Sequence, residues 1–156
     1  MTELWTEDET AQHFVGASGE VVVVIAREGS QEDLRHVTAT ASLVERLSRN
    51  SKTTKLLFVM PRSAKPPNAE VRDALLKASR RLDGKLSNIA VVITGQGFGA
   101  AVHRAVITGL VSLMRSKVPL KVKSSIEEGL RYLLDDNAKV AELTRLCEQR
   151  LDPPTP

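Results

Sequence analysis

Residues 21–37 read VVVVIAREGSQEDLRHV and join a continuous apolar run to a helical pattern. The opening run, VVVVIA, is rich in β-branched residues, as is typical of a strand covered on both faces. From Leu34 onward apolar residues recur at helical spacing, and we expect Ser30 to cap this helix with Glu32 and Asp33 in its first turn. The stretch therefore predicts a buried strand that leads into a helix.

The same alternation continues along the chain. Strand-like apolar runs recur at 55–60, 88–93 and 118–123, and the last of them is short and alternates, as edge strands do. Helical patterns separate these runs, with Asn68 and Ser125 as expected caps. Strand and helix in regular alternation predict a mainly parallel sheet with right-handed crossovers.

A further strand is expected before residue 21. Residues 13–20 read HFVGASGE and can form an edge strand whose turn makes a hairpin onto the first buried run. We therefore predict an α/β fold with a four- to five-stranded, mostly parallel sheet and alternating helices.

Length and composition predict one domain. The chain has 156 residues, of which 42% are hydrophobic and 26% charged, which is ordinary for a globular protein. We expect a flexible segment over 1–12, the α/β domain over 13–136, a carboxy-terminal helix over 137–150 and a disordered tail over 151–156. The acidic amino terminus and the lack of a long apolar run argue for a cytoplasmic protein without a membrane span.

Three stretches resemble a known family. Residues 21–37, the strand NIAVVITG at 88–95 and the segment PLKVKSSIEEGLRYL at 119–133 are similar to the opening and closing units of STAS/SEC14-like domains. Gly129 stands where that family usually has alanine, and Tyr132 stands where it has tryptophan. The resemblance covers most of the predicted domain.

The resemblance implies a small regulatory or interaction domain, similar in topology to the sporulation anti-anti-sigma factors. Those relatives switch by phosphorylation of a serine in a D-S-x-G turn at a helix start. The corresponding loop here, PRSAKPP at 61–67, has neither an acidic residue nor a glycine. Ser63 is the candidate phosphosite in this loop, and a merely solvated serine is the favoured alternative.

A glycine-rich stretch, TGQGFGAAVHR at 94–104, follows the third apolar run. It fits neither the dinucleotide fingerprint nor a P-loop, because the glycine spacing is wrong and no Gly-Lys-Ser or Gly-Lys-Thr follows. We favour a tight turn between strand and helix. The alternative is an anion site at the helix start, formed by Gly95, Gly97, Gly99, Ala100, His103 and Arg104.

The helix predicted after this loop, over 100–114, has a wider apolar arc than one sheet contact needs. Its cover is either the carboxy-terminal helix or a second copy of the chain, and the sequence leaves both open. The candidate interface residues are Ala101, Ala105, Val106, Gly109 and Leu113.

Residues suited to catalysis are sparse. His13, His36 and His103 lie in different predicted elements without metal-ligand spacing, and Cys147 has no second cysteine. We therefore expect no catalytic residues, no metal and no cofactor, and we interpret the acidic run TEDE at 6–9 as solvated.

The functional prediction is a non-catalytic regulatory or protein-interaction domain that binds a protein partner or forms a homodimer. The net charge of +3 is small and the five aromatic residues are scattered, which argues against nucleic-acid binding. The alternative function is a small-molecule or anion sensor that uses residues 95–104.

Overall fold

The computed structural model describes residues 2–61, 67–95, 104 and 118–153. The described residues form one six-stranded sheet and four helices. The strands are β1 Trp5–Glu9, β2 His13–Ser18, β3 Val21–Ala26, β4 Lys55–Pro61, β5 Asn88–Thr94 and β6 Leu120–Lys123. The helices are α1 Leu34–Ser48, α2 Ala69–Arg81, α3 Ile126–Leu133 and α4 Asn137–Glu148.

The sheet has two halves of different character. Strands β1, β2 and β3 pair antiparallel, whereas β3, β4, β5 and β6 pair parallel in chain order. The expected hairpin is present, since His13 pairs with Ala26 and Ser18 with Val21 across a turn in which Gly19 has a φ of 57°. The α/β class and the parallel half are confirmed, and the sheet has one strand more than expected.

The additional strand is β1, which lies in the segment 1–12 that we expected to be flexible. That expectation is wrong because the acidic run is not solvated. Three arginines, one directly after β3 and two from α1, donate hydrogen bonds to its three carboxylates: the ion pairs are Arg27 with Glu9, Arg35 with Asp8, and Arg46 with Glu7. The pairs neutralise the acidic run and hold it against the sheet and α1.

The two faces of the sheet carry separate cores. On one face, α1 and α2 pack over β2, β3 and β4, and on the other face α3 and α4 pack over β3, β4 and β5. Gly129 of α3 lies against the sheet so closely that a Cβ would be 2.7 Å from Val92 Cγ2 and 3.0 Å from Leu57 Cδ1. This contact explains a glycine where the resembling family has alanine.

The start of α1 differs from the expectation. Asp33, not Ser30, caps the helix, and its side chain accepts a hydrogen bond from the backbone N–H of His36. The Ser30 hydroxyl is buried and has no hydrogen-bond partner among the described residues. The expected caps Asn68 and Ser125 are confirmed.

The carboxy terminus follows the expected course over 137–148. Beyond α4, Leu151 packs against the core and so is not part of a disordered tail, and residues 154–156 lie outside the described part. None of the helices in the described ranges has the length and apolar character needed to cross a bilayer.

Candidate functional site

A cluster of two histidines and an aspartate lies where β3 ends and α1 begins. This is the carboxyl edge of the parallel strands, where open α/β sheets usually bind ligands. His13 reaches this edge because β2 runs antiparallel to β3, so the first residue of β2 pairs with Ala26, the last residue of β3. His36 lies in the first turn of α1, three residues after Asp33.

The two imidazole rings stack on each other. Their centroids are 4.0 Å apart and their planes are 15° from parallel. Asp33 bridges them: its Oδ1 is 3.3 Å from His36 Nδ1, and its Oδ2 is 3.5 Å from His13 Nδ1. The three side chains therefore form one cluster, although they come from β2, the loop after β3, and α1.

Hydrogen bonding in the cluster is incomplete. The backbone N–H of Asp33 donates to His36 Nδ1 at 3.2 Å, so the neutral His36 ring carries its proton on Nε2. That Nε2 is buried, as are both ring nitrogens of His13, and all three lack a hydrogen-bond partner among the described residues. Such unpaired buried polar groups are rare and ask for an explanation.

Burial keeps both imidazoles neutral. It lowers the pKa of His13 to about 4, and the nearby His36 and Arg27 act in the same direction, against the opposing charge of Asp33. Burial also lowers the pKa of His36, although Asp33 opposes the shift. Each ring therefore keeps an unprotonated nitrogen at neutral pH.

Two carboxyl groups beside the rings differ from each other. Burial works against ionisation of Asp33, but the hydrogen bond from the backbone N–H of His36 and the proximity of the His36 and His13 rings outweigh it and hold the Asp33 pKa below its ordinary value. Burial and the charge of Asp33 raise the pKa of Glu32 to about 7. Asp33 is therefore the ionised carboxylate of the cluster. Chemically, the cluster offers neutral nitrogen donors and one anionic oxygen donor.

The glycine-rich loop is only partly described. Gly95 directly follows β5 with a φ of 114°, which only glycine adopts readily and which favours the turn interpretation. Arg104 Nη1 donates to the carbonyl oxygens of Ile93 and Gly95, each at 3.3 Å. The other candidate residues lie outside the described part: Ser63, Gly97, Gly99, Ala100, Ala101, His103, Ala105, Val106, Gly109 and Leu113.

Sequence reasoning separated two histidines that the structure brings together. The usable signal was the hairpin register, because a turn at Gly19 places His13 beside Ala26. Cys147 lies in the hydrophobic core on the α3 and α4 side of the sheet. Its thiol is buried, and burial, with Glu148 adding to it, raises its pKa to about 12.

A second surface feature lies beside the cluster. A shallow groove runs between β1 and α1, and we call it the β1–α1 groove; it is lined by Glu7, Asp8, Leu34, Arg35, Thr38 and Ala39. Leu34 is 40% exposed, and Trp5, on the same sheet face as Ala17, is 41% exposed. Two large apolar side chains thus face solvent along this side of the domain.

Comparison with known proteins gives structural neighbours only. No family model matches the sequence, and no curated protein matches it. An uncharacterized protein of the DUF3478 family with a SpoIIAA-like fold, from Shewanella loihica, aligns with a TM-score of 0.51 and 12% identity, over 85% of this chain and 94% of that one. Apo-SiaC from Pseudomonas aeruginosa aligns with a TM-score of 0.48 and 10% identity, over 78% of this chain and 99% of that one. The chain therefore has a SpoIIAA-like fold, which is the STAS-like architecture that its sequence predicts.

Proposed function

We propose that this chain is a non-catalytic regulatory domain that binds a protein partner through the β1–α1 groove. The observation that carries the proposal is the exposure of Leu34 beside the edge strand. Exposure of an apolar leucine side chain to water is unfavourable. Exposed apolar side chains of this kind mark interaction surfaces when the residues around them are held in fixed positions.

Ion pairs between α1 and β1 hold the residues around the groove in position. Arg35 donates two hydrogen bonds to the carboxylate of Asp8, at 3.0 and 2.7 Å, and Arg46 donates one to Glu7 at 2.5 Å. These contacts join α1 to β1 on both sides of the groove. Its side chains are therefore positioned before any partner arrives, which lowers the entropy lost on binding.

The shape of the groove favours a protein over a small molecule. Small-molecule sites enclose most of their ligand, whereas this groove is shallow and open. Its charge favours a partner with an apolar side chain beside a basic one. Arg35 is neutralised by Asp8, whereas the Asp33 carboxylate next to Leu34 remains 45% exposed.

The histidine cluster supports a role without acyl or group transfer. The ring of His13 makes no hydrogen bond to a described residue, and Nδ1 of His36 contacts only Asp33. Within the described part of the chain, neither imidazole therefore contacts a serine, threonine or cysteine that it could activate for nucleophilic catalysis. Cys147 is buried in the opposite core.

The experiment begins with native mass spectrometry of the untagged chain from its own cell lysate, which identifies any bound partner. The purified partner is then titrated with the wild-type chain and with Leu34→Asp. An aspartate suits the first turn of a helix, so the variant folds. We expect its affinity for the partner to fall at least about tenfold.

Leu76→Asp is the matched control, because Leu76 is an equally exposed leucine on α2. The control should bind the partner like the wild type. Equal losses of partner affinity in both variants would show that the partner does not bind at the β1–α1 groove. A free monomer would overturn the interaction role. A dimer of the chain alone would replace the hetero-partner with a second copy. Excess mass from a small molecule would instead favour the sensor at residues 95–104.

A further inference from the structure

The donor atoms of the histidine cluster are spaced like metal ligands. One donor atom each from His13, Asp33 and His36 lies within 4.8 Å of the others. Asp33 approaches the rings through its two oxygens, Oδ2 at 3.5 Å from His13 Nδ1 and Oδ1 at 3.3 Å from His36 Nδ1. Each distance is close to the separation of about 3.3 Å between ligands held at about 2.0–2.1 Å around a tetrahedral ion.

Helix capping explains only part of the cluster. The reciprocal bonds between Asp33 and His36 form a capping box for α1, so these two residues have a structural role. His13 has no part in that cap. It lies on another strand, is 2% exposed, and leaves both ring nitrogens unpaired. Burying an imidazole without hydrogen bonds is unfavourable, so its position calls for a ligand.

We propose that His13, Asp33 and His36 form a site for a divalent transition-metal ion of the Zn²⁺ type. Two imidazoles and one carboxylate are a ligand set that suits Zn²⁺ and Co²⁺, and they leave a fourth position for water or another donor. This inference goes beyond the interaction role and does not depend on it.

Binding requires two rearrangements. His36 Nδ1 must release the hydrogen bond that it accepts from the backbone N–H of Asp33, since the same lone pair would hold the ion. A metal ion lies in the plane of each imidazole that holds it, and two rings stacked 15° from parallel cannot both contain one ion. The ring of His13 must therefore turn. No hydrogen bond from the described residues holds that ring, so turning it costs the stacking contact and the 3.5 Å approach of Asp33 Oδ2 to Nδ1. The exposed edge of Asp33 provides the entry path from solvent.

The test uses the full chain, freed of metal with a chelator and titrated with Zn²⁺ by calorimetry. Co²⁺ is the spectroscopic probe, because its visible bands report tetrahedral geometry and reveal any thiolate ligand. We expect one ion per chain and no thiolate band. Asp33→Asn is the principal variant, since asparagine keeps the helix cap and removes the anionic ligand.

Asp33→Asn and His13→Leu should each weaken Zn²⁺ binding by at least about 100-fold. Loss of a residue that only hydrogen-bonds to a metal ligand already lowers metal affinity by about 10–100-fold, and loss of a ligand itself should cost more. Asp136→Asn is the matched control: Asp136 caps α4 through the N–H groups of Ala138 and Lys139, away from the histidines. Its affinity should equal that of the wild type.

Three results would overturn the metal site: no binding of Zn²⁺, equal binding by Asp33→Asn and wild type, or a thiolate band from Cys147. The outcome is separable from that of the interaction role. Leu34→Asp tests the groove and leaves the three ligands in place, so loss of partner binding with retained Zn²⁺ binding supports both proposals independently.

Discussion

Two buried polar side chains lie at the same end of the sheet and differ in one respect. Arg27 follows β3 and is 3% exposed, and His13 begins β2 and is 2% exposed. Arg27 donates to the carbonyl oxygen of Thr10 at 2.6 Å, to Glu9 at 2.5 Å and to the carbonyl oxygen of Arg150 at 3.2 Å. The ring of His13 makes no hydrogen bond to any residue that the structure describes.

The difference separates structure from function. Every contact of Arg27 ties together parts of the fold, namely β1, the turn after it and the end of α4, so the fold explains its burial. Among the described residues, the His13 ring has only the stacking on His36 and the 3.5 Å approach of Asp33, and no hydrogen bond compensates its burial. Buried polar groups of the first kind stabilise a protein, and those of the second kind are candidates for a ligand.

Replacement of Arg27 tests the first half of this comparison and should have the largest effect. Arg27→Met leaves Glu9 and two carbonyl oxygens without their donor, so we expect the free energy of unfolding to fall by about 3–5 kcal/mol. Chemical denaturation measures this loss. Arg35→Met, which removes an exposed ion pair, is the control and should have a much smaller effect. Similar losses of unfolding free energy in both variants would show that the buried hydrogen bonds of Arg27 contribute no more to stability than an exposed ion pair.

Replacement of His13 tests the second half and should have the opposite sign. His13→Leu exchanges an unpaired imidazole for an apolar side chain of similar size. In the presence of a chelator, we expect the free energy of unfolding to stay at the wild-type value or rise by about 1 kcal/mol. Urea denaturation of both proteins gives the comparison. A loss of about 2 kcal/mol or more would mean that His13 has a stabilising partner.

The ion pair of Glu45 and Arg81 sharpens the comparison, because it is also an arginine–carboxylate contact but lies at the surface and not in the interior. The hydrogen bonds from Arg81 and then Lys85 lower the pKa of Glu45 to about 2. A carboxyl whose pKa falls on folding stabilises the protein above its ordinary pKa, and this contribution is lost as the pH falls from about 4.5 towards 2. Because the pair is exposed, the effect is small.

Arg81→Ala should therefore move the pKa of Glu45 back towards its ordinary value and leave the stability at neutral pH almost unchanged. NMR titration of the Glu45 carboxyl carbon measures the first effect and thermal unfolding the second. A large drop in melting temperature at pH 7 would contradict the role of burial in setting the strength of these pairs.

The alternation of strands and helices could be predicted because apolar residues recur with strand or helix periodicity within each short segment. Strand β1 could not, since a run of acidic residues has the composition of a solvated segment. Its arginine partners are 18, 27 and 39 residues away, and ion pairs over such distances leave no periodic signal. The sequence shows the charges, and only the fold shows which of them meet.

The histidine cluster was missed for a related reason. His36 and Asp33 are neighbours on α1, but His13 joins them through the register of a hairpin. Spacing rules for metal ligands apply to residues close together in sequence, whereas this cluster draws on β2, the loop after β3, and α1. The cap of α1 was misplaced by competition between local candidates: Ser30 and Asp33 both suit a helix start, and the side chain of Asp33 is the one that reaches the His36 N–H.

The three ion pairs of β1 differ in how strongly dissolved salt can weaken them. The pairs of Asp8 and Glu7 involve exposed arginines, whereas that of Glu9 is buried, and dissolved salt screens exposed charges far more than buried ones. Rising ionic strength therefore loosens the Trp5 end of the strand while the Glu9 end stays fixed. We therefore expect salt to act first on the outer end of this edge strand, while its backbone pairing with β2 keeps the strand in the sheet.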